Sequence, residues 1–284
     1  MSAVAGRVSM WRWWHTAIWF LFVIVMPWLA YRSIGHPVGI WWMFMAGFVL
    51  VLMLTGHGIT GSWKGAFVDN RNVMSLSRLQ MIAWSILVLS AFTVAVFWNL
   101  FMGNGLESAS PDGGFPELPQ ALWLLMGIST ASMVGSPLIL NSKKEQPADE
   151  RERSKTFELL SQQGYDTGQM ENQGQLVLNQ TPDQARWSDL FTGEEVGNFA
   201  RLDLARLQML FFTMISLLTY GVAIGHLLAS RAAIGGGSVI ESLPALSEGL
   251  VALVGISHTG YLAAKATSNS QTGRDKGPES AGTI

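Results

Sequence analysis

The sequence predicts an all-α, polytopic membrane protein of six transmembrane helices that contains a parallel, duplicated two-helix unit. Two observations carry this. Six apolar stretches, at residues 14–31, 38–54, 79–102, 118–140, 207–230 and 243–264, approach or exceed the roughly 20 residues that cross a bilayer core. Parts of the chain also occur twice at one spacing. Residues 76–81 read Leu-Ser-Arg-Leu-Gln-Met, and residues 204–209, 128 positions later, read Leu-Ala-Arg-Leu-Gln-Met. The same offset pairs Pro116 with Pro244, Leu122 with Leu250, Leu125 with Leu253, and Gly127, Ile128 and Ser129 with Gly255, Ile256 and Ser257.

Composition agrees. Hydrophobic residues make up 49% and charged residues only 13%, with 12 Trp and 14 Met. A soluble domain carries about a quarter charged residues. The chain has no Cys, which excludes disulfides, thiolate catalysis and Cys-based metal sites. The five histidines (15, 36, 57, 226 and 258) form no pair at helical spacing, so no metal site and no cofactor is expected.

Residues 1–56 read as an N-terminal transmembrane hairpin. Arg7 and Arg12 precede its first apolar run, as in a signal peptide, but the run is bulky and ends at Trp28 and Tyr31 without a small-residue cleavage pattern. A retained helix is expected. Trp11, Trp13 and Trp14 mark one interface and Trp28, Trp41 and Trp42 the other, as aromatic belts do.

Residues 57–140 form the first repeat: a polar connection, then a transmembrane hairpin. Residues 141–186 are rich in Gln, Glu, Lys and Asn and read as a flexible linker. Residues 187–265 form the second repeat. Trp187 to Phe191 stand ahead of Arg206 much as Trp63 to Phe67 stand ahead of Arg78, with a spacing longer by four residues. Residues 266–284 read as a disordered tail. Each unit has two spans, so both copies enter the membrane in the same sense.

Threaded through six spans, sixteen of the 18 Lys and Arg fall on one side and only Arg32 and Arg231 on the other. By the positive-inside rule both termini are cytoplasmic, in a bacterial-type inner membrane. The outer loop 103–117 agrees, with Glu107, Asp112 and Glu117 and no cation.

No span carries Asp, Glu, Lys or Arg at its centre, which argues against proton relays, ion-coupled carriers and voltage sensors. No phosphate loop, nucleophile elbow, zinc-protease motif or potassium filter is present, so no enzymatic activity is expected. Instead, span four carries Gly127, Ala131 and Gly135 on one stripe and Ser129, Ser132 and Ser136 on another. Span six repeats them as Gly255, Thr259 and Ala263, and as Ser257, Gly260 and Ala264, while His258 replaces Thr130. Gly127, Ser129, Thr130, Ser132, Gly255, Ser257 and His258 are therefore candidates either for a pore wall or for helix packing. Arg78 and Gln80, with Arg206 and Gln208, open spans three and five as a cytoplasmic anchor pair. Ser75 and Asp203 stand ready as N-caps, and Asp69, Glu194 and Glu195 as carboxylate partners.

The expected function is a homo-oligomeric channel or pore subunit. The alternative is a membrane scaffold that recruits a cytoplasmic protein through residues 57–74 and 142–202. The bilayer is the expected partner in both, and nucleic acid in neither.

Overall fold

The computed structural model describes residues 10–103 and 114–267. Glu107, Asp112, Arg7 and residues 268–284 of the expected tail lie outside them. Seven α-helices follow in order among the described residues: α1 (Trp13–Arg32), α2 (Pro37–Thr60), α3 (Leu76–Phe101), α4 (Gln120–Lys144), α5 (Glu150–Gln162), α6 (Leu204–Ile234) and α7 (Glu248–Ala266). One antiparallel hairpin, β1 (Met170–Gln173) and β2 (Leu176–Asn179), lies between α5 and α6.

Five helices, α1, α2, α3, α4 and α6, are long and apolar enough to cross a membrane. The sixth expected span is α7, 19 residues long, and it does not meet that standard. Glu248, His258 and Lys265 lower its hydropathy. Several apolar helices of this length describe an integral, multi-pass membrane protein in contact with lipid.

The helix starts follow from their caps. Ser75 Oγ accepts the Arg78 N–H at the head of α3, and Asp203 Oδ1 accepts the Ala205 and Arg206 N–H groups at the head of α6. Ser247 Oγ does the same for Leu250 in α7. Pro37, which lacks an N–H, opens α2, and Gly61 closes it at φ +80°, a left-handed conformation suited to glycine.

Helix α3 is the central element, packed against α2, α4 and α6, while α7 lies along α4 and α6. Their shared core holds Trp41, Trp84, Trp98, Leu122, Leu125, Tyr220 and Ile224. Helix α1 packs chiefly on α2 and leaves most of its apolar surface outward, as a helix facing lipid does.

At one end of the bundle the connections are tied together. Asn99 at the end of α3 donates to Gly114 O and Ile240 O and accepts the Ile240 N–H, and Trp98 Nε1 donates to Ser238 O. Glu117 pairs with the strand-like segment around Ser242 through both its backbone groups.

At the other end, residues 141–186 are not the flexible linker expected from their composition. They contain α5 and the β-hairpin, and Leu160, Met170 and Val177 are buried with Val73, Val196 and Phe199. Polar residues dominate the stretch, but these few apolar ones converge with Val73 from the α2–α3 connection and with Val196 and Phe199 from the later part of their own. That long-range burial is invisible to local composition.

Candidate functional site: a buried charge cluster at the ends of four helices

The segments before α3 and α6 are built alike. The Ser75 N–H donates to Phe67 O, and the Asp203 N–H donates to Phe191 O, both at 2.8 Å. Val68 pairs with Met74 in an antiparallel bridge, and Thr192 pairs with Leu202. Five residues, 69–73, close the first loop, whereas nine, 193–201, close the second. The four additional residues thus belong to this loop, and it carries Glu194, Glu195 and Asn198.

Glu194 is the hub. Its Oε1 takes Lys265 Nζ at 2.8 Å from α7, Arg71 Nη2 at 3.0 Å from the connection before α3, and Arg206 Nη2 from the first turn of α6. Arg71 also grips Asp69 Oδ2 through Nε at 3.0 Å and Nη2 at 2.7 Å. Arg206 donates to Asp189 O at 2.9 Å, as Arg78 donates to Val68 O at 2.6 Å. Lys265 donates to Tyr261 Oη at 2.8 Å and to Ser136 Oγ on α4. Next to it, Lys143 on α4 holds Glu195 at 2.5 Å and the Thr267 carbonyl at 2.7 Å.

Four cations, Arg71, Lys143, Arg206 and Lys265, therefore meet four carboxylates, Asp69, Glu194, Glu195 and Asp203. All four cations are buried. Taking charges out of water costs several kcal/mol per ion, so such a set persists only when it is mutually paired. Burial alone would raise the Glu194 carboxyl, but Arg206, Lys265 and Arg71 outweigh it and hold the group far below the usual carboxylate range. Burial would also lower the Arg71 guanidinium, and Asp69 and Glu194 reverse that to hold it above its ordinary value. Asp189, in contrast, is pushed up by burial, and the backbone N–H groups of Arg186 and Met74 only partly offset this. Glu194 lines a cavity of about 20 Å³ with Asn198, Tyr261 and Ala264, and its Oε2 is buried without a hydrogen-bond partner among the described residues.

The anchor residues read from the sequence separate. Arg206 enters the cluster; Arg78 serves a backbone carbonyl. Gln80 is buried and donates to Thr213 Oγ1 at 2.7 Å, joining α3 to α6, while Gln208 is exposed. Of the carboxylates considered, Glu194 pairs with Arg206, Asp69 with Arg71, and Glu195 with Lys143. Lys143 and Lys265 carried no sequence signal beyond positive charge near a span end, and Tyr261 carried none.

The small-residue candidates separate too. Ser129, Ser132, Ser257 and His258 are buried where α4 meets α7, and Ser132 Oγ lies 2.6 Å from His258 Nδ1. Gly127, Thr130 and Gly255 are not: Thr130 is exposed, and Gly127 has open space where a side chain would be. Gly255 borders an outward-facing apolar groove with Ile128, Ile256 and Gly260. No set of three or more His, Asp or Glu side chains able to hold a metal occurs among the described residues.

At the charged end a wider cleft, about 390 Å³, opens between Lys64, Tyr165, Asp166, Asp183, Arg186 and Trp187. The Arg186 guanidinium lies 3.8 Å over the Tyr165 ring, and Tyr165 Oη is 3.0 Å from Ser188 Oγ. Compared with known proteins, the chain matches no family model, no curated protein and no solved structure.

Proposed function

We propose that this chain is a non-enzymatic, membrane-embedded scaffold whose folded extramembrane module, residues 148–202, presents a docking surface in the cytoplasm. One observation carries the reading: the charge cluster centred on Glu194 clamps that module to α4, α6 and α7. A loop that merely connected two spans would need no buried ionic lock. The cleft between Tyr165 and Trp187 is the surface offered, and both cations and carboxylates line it.

We further infer six spans with α7 as the last, and two parallel copies of one unit. The matching bonds at Phe67 and Phe191 and the matching bridges at Val68 and Thr192 support the duplication. The excess of Lys and Arg at the clamped end supports an inner-membrane orientation with that end in the cytoplasm.

The second reading is a homo-oligomeric pore subunit. The outward groove at Gly255 and the open surface at Gly127 favour it as a face for close helix contact between copies. Against a path within one subunit stand the buried hydroxyls of Ser129, Ser132 and Ser257.

A photoreactive amino acid at Asp166 or Asp183, in the full chain and in its native membrane, tests the first reading. A discrete protein adduct that Arg186→Glu abolishes is expected. The scaffold is overturned if adducts form with lipid alone while liposomes containing the purified chain conduct ions.

A further inference from the structure

We propose that His15 and His57 form a binding site for a single proton at the contact between α1 and α2, and that proton uptake switches the cap of α1. The two lie 42 residues apart in sequence, yet His15 Nε2 is 3.2 Å from His57 Nδ1. Their planes differ by 21° and their centroids are 5.5 Å apart. The line joining the nitrogens therefore runs nearly within both rings. That is the geometry of an N–H···N hydrogen bond, not of two lone pairs converging on a metal.

The surroundings are built for this pair. His15 is fully buried. Trp14 stacks on it with centroids 3.6 Å apart, Trp11 at 5.1 Å, and Trp63 stacks on His57 at 4.4 Å. A Cβ on Gly58 would stand 2.5 Å from Trp11 Cε3 and 3.0 Å from His15 Cδ2, so glycine is required for the rings to cross α2. Among the described residues no acidic side chain bonds to either ring. Of the cations adjacent in sequence, Arg12 is exposed and Lys64 Nζ is committed to Ala185 O at 2.6 Å.

The tautomers follow from the partners. His15 Nδ1 accepts the Arg12 backbone N–H at 2.9 Å, so neutral His15 carries its proton on Nε2 and donates it to His57 Nδ1. Neutral His57 then carries its own proton on Nε2. Every lone pair is now in use. An added proton leaves three protons for four ring nitrogens. Two N–H groups cannot face each other across the 3.2 Å gap, so one of the two facing nitrogens must be the bare one. His15 Nδ1 is then protonated in every permitted arrangement. It stops accepting from Arg12 N–H and turns to the Arg12 carbonyl, 3.3 Å away. The proton comes from the buffer, the charge is shared between the imidazoles, and the flanking indole faces stabilise it.

The full chain in nanodiscs, labelled with ¹⁵N-histidine, tests this as the pH is lowered from about 8 to about 5, the range in which imidazole ordinarily titrates. His15 and His57 should respond at one shared midpoint, with His15 Nδ1 changing from acceptor to protonated, accompanied by quenching of indole fluorescence. His57→Gln keeps an acceptor for His15 Nε2–H but cannot share the proton. It should weaken proton binding at His15 about tenfold. Two separate midpoints in the unaltered chain would overturn the proposal even if the variant does not fold. So would a His15 midpoint that His57→Gln leaves in place.

Discussion

Lys265 Nζ stands 2.8 Å from Glu194 Oε1, so the last helix is bonded to a loop 71 residues earlier in the chain. Glu194 meets three cations through one oxygen, and its neutral isostere would leave all three facing an amide. Breaking a buried ion pair by removing one partner costs about 3–5 kcal/mol. Glu194→Gln should therefore lower stability by that amount in detergent, measured by thermal or denaturant unfolding. Adding Lys265→Met should recover part of the loss, because it removes one of the stranded charges. An additive double variant would show that Lys265 does not depend on Glu194.

The same carboxylate sets an acid limit. Its folded value is depressed, so its stabilising contribution is complete above the unfolded glutamate value of about 4.3 and is lost as pH falls below it. Asp189 acts with the opposite sign. Its folded value is raised, so it weighs on the fold at neutral pH and is relieved on acidification. Unfolding midpoints should fall steeply below about pH 4 in the unaltered chain and stay flatter in Glu194→Gln. Parallel curves would remove Glu194 as the acid-labile group.

Gly174 closes the β-hairpin at φ +56°, and a Cβ there would collide with the backbone carbonyls of Lys143 and Lys144 at the end of α4. The clash is with backbone, which cannot swing aside. Gly174→Ala should lift the hairpin from α4 and weaken the adjoining Gln175 N–H to Lys143 O bond at 3.1 Å. A loss of about 1–3 kcal/mol is expected, with hydrogen exchange rising first across residues 170–179. Unchanged protection there would show that the hairpin tolerates the side chain.

The apolar helices and their starts were legible because hydropathy and caps are local properties, whereas Trp41, expected at an interface, is buried in the core and donates to Ser90 Oγ. Ser75 and Asp203 cap the helices they were expected to cap, and the four-residue difference before Arg206 falls in one identifiable loop. The site was legible only in part. Arg78 and Arg206 could both be set against Asp69, Glu194 and Glu195, but not paired one to one: Arg206 meets Glu194, whereas Arg78 bonds a backbone carbonyl. Lys143 and Lys265 could not be given partners, because lysines at a span end look the same whether they snorkel to phosphates or turn inward. The fold of residues 141–186 was hidden for a related reason: Leu160 and Val177 find their partners on other segments, Val73 among them. His15 and His57 were missed because a search at helical spacing sees one helix at a time, and this pair spans two.

The Ser132–His258 bond offers the sharpest test of whether the small-residue faces pack or conduct. Ser132 Oγ is 2.6 Å from His258 Nδ1 within the α4–α7 contact, and both residues are buried. Ser132→Ala removes one partner and leaves the ring nitrogen unpaired in an apolar setting, at a cost of about 1–3 kcal/mol. If the pair is structural, the variant should unfold at lower temperature while any measured permeability stays unchanged. The exposed Thr130, one face away, supplies the control: Thr130→Trp should leave folding intact and block conduction only if that face lines a path between copies. Stability lost at Ser132 with no effect at Thr130 supports packing and the scaffold. Conduction abolished at Thr130 with assembly preserved supports the pore.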